Sequence, residues 1–198
     1  MQIQIVHGEY LYSRFDELEN TVNSILDGGS LELEDITDLL LYNEYKDLQK
    51  AFHGNQQKLW EHLCEYGINE GRLFSYVYQP QYYKAKYKDL QDAFKDNWWD
   101  YVNHFEAYAM KENRVGNKIF DIAYYKEHNP DIKSFTNVDA LKHFLRFGIN
   151  EWRETSPEFN VKVYRDNNKD LQKAFKKNCK DYYKHFLIYG QYENRVVK

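Results

Sequence analysis

Along most of this chain the apolar residues recur in one phrase. Leu59, Leu63 and Tyr66 return as Tyr101, Phe105 and Tyr108, then as Ala140, Phe144 and Phe147, and again as Tyr182, Phe186 and Tyr189. Spacing of i, i+4, i+7 puts each set on one helical face and predicts a helix at each place. Gly67, Gly148 and Gly190 follow directly and predict a left-handed helix end. Ala109 stands in that slot in the second set, so this helix is expected to end less cleanly or run on.

Upstream of each stripe lies a second phrase. Tyr45-Lys-Asp-Leu-Gln-Lys-Ala-Phe52 returns as Tyr87 to Phe94 and as Asn168 to Phe175, with a degenerate copy from Asn129 to Phe135. Asn129-Pro130-Asp131 reads as a helix start: Asn as cap, Pro at the first helical position, Asp at the positive helix end. Another helix precedes it, opened by an apolar residue and a capping residue at Ile36-Thr37, Phe120-Asp121 and Phe159-Asn160. Tyr78-Gln79-Pro80 replaces that signal in the second copy. The fold class expected is therefore all-α, with four copies of a three-helix repeat over residues 36–77, 78–119, 120–158 and 159–198, stacked as a short solenoid. Residues 1–35 do not match the repeat. Gln2–Val6 and Ser30–Glu34 alternate like strands around a helix-like stretch, Tyr12–Leu26, so a small α+β cap, β-α-β, is expected there.

Polar residues repeat with the same register. Asp47, Asp89, Asp131 and Asp170 lie 42, 42 and 39 residues apart, and are followed by His62, His104, His143 and His185. Each copy closes on Glu-x-Arg: Glu70 and Arg72, Glu112 and Arg114, Glu151 and Arg153, Glu193 and Arg195. A catalytic constellation is normally assembled once from different parts of a fold; a set that returns in every unit reads as a structural network. The last copy keeps its set although no repeat follows, which points to bonds within a unit. No HxxxH or HExxH pair, phosphate loop or nucleophile elbow is present. The expectation is no enzyme, no metal and no cofactor.

Aromatic residues make up 18% of the chain, with nineteen Tyr, twelve Phe and four Trp. Three of them occupy slots that sister copies fill with polar or small residues: Trp99, Trp152 and Tyr192. Trp152 stands where Gly71, Asn113 and Asn194 tolerate a left-handed turn. Exposed rings can anchor a protein or stack on a sugar, so these three form the candidate partner surface.

The net charge of −4 conceals a polarity. Residues 1–50 carry eleven acids and three bases, and residues 157–198 carry ten bases and five acids. Opposite ends of this kind can steer partners or dock head to tail in a homo-oligomer. The acidic front and a pI near 6.0 argue against nucleic acid. Cys64 and Cys179 make neither a disulfide framework nor a zinc motif. With no signal-peptide pattern and no apolar run long enough to span a bilayer, the chain as given reads as intracellular.

The pattern Phe120-Asp-x-x-Tyr-Tyr, Asn129-Pro-Asp-Ile, His143-Phe-x-x-Phe-Gly and Glu151-x-Arg resembles a short bacterial repeat. That repeat runs F-D-x-x-Y-Y, N-P-D-L, H-F-x-x-x-G, E-G-R, and is appended to surface-associated and glycan-handling proteins. The resemblance covers residues 36–198 and implies a helical, non-catalytic module. The function expected is a binding or scaffolding module that presents a Tyr/Trp-rich surface to a protein or glycan. The alternative is a structural protein, viral in one version, that assembles head to tail through its acidic and basic ends.

Overall fold

Twelve α-helices and no strand are found among residues 31–198, the part of the chain that a computed structural model describes. In chain order they are α1 (Leu33–Ile36), α2 (Leu39–Tyr42), α3 (Lys46–Phe52), α4 (Gln56–His62), α5 (Pro80–Lys86), α6 (Lys88–Phe94), α7 (Trp98–His104), α8 (Ile122–His128), α9 (Asn137–Arg146), α10 (Val161–Asn167), α11 (Lys169–Phe175) and α12 (Cys179–Ile188). A 3₁₀ turn, Pro130–Ile132, stands between α8 and α9. None of these helices exceeds ten residues, short of the ~12–15 that an isolated helix needs in water. Packing therefore holds them.

That packing is largely aromatic. Tyr42, Tyr83, Tyr125 and Tyr164, one each on α2, α5, α8 and α10, are fully buried, as are Phe74, Tyr78, Phe105, Phe144, Phe159 and Tyr183. Most of these rings meet edge-on or tilted, as their quadrupoles favour: Tyr83 lies 5.5 Å from Phe105 at 87°, and Tyr164 lies 5.7 Å from Phe186 at 80°, while Phe144 stacks on Phe120 at 22°.

The residue before α2, α5, α8 and α10 sends its backbone N–H to a carbonyl far downstream. Asp38 bonds Phe74 at 2.8 Å, Gln79 bonds Gly116 at 3.0 Å, Asp121 bonds Thr155 at 2.9 Å and Asn160 bonds Val197 at 2.8 Å. Each bond ties the first helix of a segment to that segment's own end. Between segments, Asn137 Nδ2 donates to the Met110 carbonyl at 2.7 Å, Trp152 packs on Tyr182, and Gln81 bonds the Gly71 carbonyl. The last helix then meets the first ones: Lys180 pairs with Asp38 at 2.6 Å and Lys184 with Glu44 at 2.9 Å. In an open stack the first and last segments would stand apart; here they touch.

Several local expectations are corrected. Of the strand expected over Ser30–Glu34, Leu33 and Glu34 lie in α1, which a capping box between Glu32 and Asp35 opens; the rest of the β-α-β expectation lies outside the described residues. The cap of α2 is Asp38, whose carboxylate accepts from the Leu41 N–H, rather than Thr37. Gly67, Gly148 and Gly190 do not turn left-handed; Gly54 and Gly71 are the glycines with positive φ among the described residues. The three glycines serve close approach instead, because a Cβ would collide with the hydroxyl of Tyr42, Tyr125 or Tyr164. Ala109 does not set its helix apart: both Leu63–Gly67 and Phe105–Ala109 widen into a π turn. Helices α9 and α12 are followed instead by the 3₁₀ turns Gly148–Asn150 and Gly190–Tyr192.

Candidate binding surface

The recurrent polar residues fall into two separate bonded sets. In the first, each Arg bridges back to the Asp near the start of the second helical segment: Arg72 to Asp47 at 2.8 Å, Arg114 to Asp89 at 2.7 Å, Arg153 to Asp131 at 2.7 Å and Arg195 to Asp170 at 2.9 Å. Arg114 and Arg195 grip both carboxylate oxygens, the fork geometry that strengthens such pairs. Each Arg Nε also bonds the Glu two residues earlier, namely Glu70, Glu112, Glu151 or Glu193. The guanidinium holds the carboxyls of Asp89, Asp131 and Asp170 below the usual range. At Asp47, desolvation works the other way and the Arg72 bond outweighs it.

The second set pairs each histidine with a buried tyrosine. Nδ1 of His62, His104, His143 and His185 lies 2.8, 3.0, 3.0 and 2.8 Å from the hydroxyl of Tyr42, Tyr83, Tyr125 and Tyr164. His104 Nε2 faces a Glu112 oxygen at 3.8 Å, which favours the proton on Nε2 and leaves Nδ1 to accept from Tyr83. Burial lowers the pKa of His104 and His185, favouring neutral rings. The sequence pattern alone does not mark these tyrosines as partners, although a Tyr precedes each His by 18 to 21 residues. That interval was the available signal.

With Asp, Glu and Arg bound to one another and His bound to Tyr, each polar group of the pattern has an internal partner. Among the described residues no three of His, Cys, Asp and Glu gather as a metal site. Burial pushes the thiols of Cys64 and Cys179 up to about 11, away from nucleophilic reactivity at neutral pH.

What faces solvent is the ring four residues after each histidine. Tyr66, Tyr108, Phe147 and Tyr189 are 51, 53, 57 and 53% exposed. Their inner faces rest on the histidine, with ring centres 5.4, 5.3, 5.7 and 5.6 Å apart. The apolar stripe read from the sequence is thus two core positions and one surface position. Tyr192 is 77% exposed. Trp99 and Trp152 are half-buried and packed against the core. Trp152 holds φ at +56°, with its ring between Tyr182 and the Arg165 guanidinium, 4.6 Å away. A left-handed bulky residue costs roughly 1–2 kcal/mol, which these two contacts offset. Among the described residues no helix is long and apolar enough to cross a membrane.

Comparison of the chain with family models, curated proteins and solved structures finds no match in any of the three.

Proposed function

We propose that residues 36–198 are four copies of one helical module, with the last copy against the first, and that together they form a non-enzymatic binding or scaffolding unit for a protein or glycan. The observation that carries this reading is the half-exposed ring at Tyr66, Tyr108, Phe147 and Tyr189. Single exposed rings are ordinary on protein surfaces. A ring at the same place in each copy, seated on a histidine that a buried tyrosine fixes, is a preorganised contact point repeated four times. Repeated weak contacts add up to useful affinity when one partner spans several of them. Tyr192 adds a fifth exposed ring, while the packing of Trp99 and Trp152 makes them supports rather than contacts.

Bonding supports the non-enzymatic half of the reading, because the recurrent Asp, His, Glu and Arg are committed to each other and to tyrosines. Head-to-tail assembly finds less support. The front acids Asp35, Asp38 and Glu44 are neutralised within the chain by Lys142, Lys180 and Lys184.

The test is a variant with Tyr66, Tyr108, Phe147 and Tyr189 all changed to Ser, compared with the parent on arrays of glycans and purified proteins. The expected result is unchanged helicity, a cooperative melt lowered by the lost ring–histidine packing, and loss of capture. Full capture by the variant would sink the reading.

A further inference from the structure

A cavity of about 340 Å³ lies where the beginning and the end of the described chain meet, at the small end of the ~300–1,000 Å³ range of ligand pockets. Leu41, Leu73, Leu187 and Ile188 give it apolar walls, and the exposed ring of Tyr192 borders it. Its carboxylate, Glu44, is already paired with Lys184 at 2.9 Å, so the lining is close to neutral.

The informative residue is Gln79. It lines the cavity and is only 7% exposed, yet its side-chain amide has no hydrogen-bond partner among the described residues. Water can serve that amide while the cavity is open, but covering it with a ligand that offers no partner would cost its hydration. In the other three copies the matching residue spends its side chain on its own helix: Asp38, Asp121 and Asn160 each accept from a backbone N–H of the first turn. Gln79 makes no such cap ahead of Pro80. Its longer side chain is released from the structural duty that its three counterparts perform. The amide is not sealed off either, since it is absent from the fully enclosed unpaired groups Asn43, Tyr78, Glu106 and Tyr183. Beside it, Gln81 spends its Nε2 on the Gly71 carbonyl and keeps Oε1 as an acceptor.

These features select a ligand. An aliphatic side chain would fill the walls but leave the Gln79 amide unpaired. An ion would find no free counter-charge. The lining calls for a neutral group with an apolar face and hydroxyls at its edge. We propose that the cavity binds a saccharide residue, with the Gln79 amide bonding ring hydroxyls and Tyr192 covering the apolar face. The inference rests on the binding-module reading and names the ligand class for one site on it.

Side-chain amide NMR on the whole chain tests it. Glucose, galactose, N-acetylglucosamine and their β-linked disaccharides are titrated into the millimolar range, and Gln79→Met assigns the Gln79 signal. At least one saccharide should shift that signal saturably. Gln79→Met, which keeps the length and removes the amide, should weaken binding tenfold or more, the loss of one good hydrogen bond. Tyr192→Ala should weaken it severalfold. No saccharide shift at Gln79, equal affinity in Gln79→Met, or a shift with short peptides alone would overturn the proposal. If glycans are captured through Tyr66, Tyr108, Phe147 and Tyr189 while Gln79 stays silent, the cavity proposal fails and the binding module stands. If the array and the titration are both blank, both fail.

Discussion

Residues 36–119 and residues 120–198 build the same Asp–Arg bridge with different supports. In the front half the residue before α3 and α6 is a tyrosine, Tyr45 or Tyr87. The guanidinium of Arg72 or Arg114 lies over its ring at 4.8 or 4.6 Å, and its hydroxyl accepts the loop N–H of Leu73 or Val115. In the rear half the slot holds Asn129 or Asn168. There the Arg153 or Arg195 guanidinium donates to the amide oxygen, and the amide nitrogen donates back to the Tyr125 or Tyr164 carbonyl. The histidine helix differs in step: π turns end it in front, and 3₁₀ turns follow it behind. What stays constant is the Asp–Arg pair and the Tyr–His pair. The geometry around Arg thus needs something to cover or accept the guanidinium, and either an aromatic face or an amide oxygen will do.

The largest effect expected from breaking the symmetry is at Glu106. Its counterparts after Leu63, Phe144 and Phe186 are Cys64, Leu145 and Leu187. Glu106 alone puts a carboxyl there, with one oxygen buried and unpaired, and burial raises its pKa to about 8 with Glu32, Glu34 and Asp35 adding to the shift. A folded-state pKa above the unfolded one gives stability that is complete below the ordinary carboxylate pKa. That stability drains away as pH rises towards 8. Glu106→Leu should therefore raise the unfolding free energy measured in urea, by roughly 2–4 kcal/mol at pH 8 and much less at pH 5. An equal gain at both pH values would show that ionisation is not the cause.

Exchanging the two supports is expected to cost less. Tyr87→Asn removes a ring stacked on Arg114 and the acceptor of the Val115 N–H. Asn129→Ala leaves the Tyr125 and Glu154 carbonyls without their donor. Each should cost about 1–3 kcal/mol by denaturant unfolding. If Tyr87→Asn were neutral, an amide would serve equally in both halves and the difference between them would carry no energy.

Gly148→Ala tests the close approach of tyrosine to the helix end. Its methyl would strike the Tyr125 hydroxyl, for a cost of about 1–3 kcal/mol. Tyr125→Phe removes the struck atom, so the double variant should recover part of that loss. No recovery would place the strain elsewhere in the turn.

The sequence made most of the helices and the recurrent polar set legible because their pattern returns along the chain, although the helix expected to start at Asn129 is only the 3₁₀ turn Pro130–Ile132. It was blind where one atom decides. The glycines read as left-handed caps, yet they are there to make room for a hydroxyl, which no local pattern encodes. Asn129 read as a helix cap, yet its amide turns back to two carbonyls and accepts from Arg153. The histidines were read with the carboxylates, because a tyrosine 18 to 21 residues upstream is invisible to helix-period reasoning. The contact of last segment with first was also illegible, although the opposite charges of the two ends were its trace. Gln79 was visible as a departure from the capping pattern, but its lack of a partner was not.

The self-contained charge pattern is the point on which the binding and polymer readings divide. Asp35, Asp38 and Glu44 meet Lys142, Lys180 and Lys184 within one chain at 2.6 to 2.9 Å. The rest of the front acidity, five acids against one base in residues 1–30, lies outside the described residues. Sedimentation velocity over a wide concentration range, at low salt and at a salt well above physiological, reads the outcome directly. Exposed ion pairs between molecules are screened within ~8 Å at physiological ionic strength. A monomer that persists at both salts is the predicted result. A species that grows with concentration at low salt and dissolves at high salt would mean that the two ends dock between molecules, and would contradict the closed, self-neutralised unit.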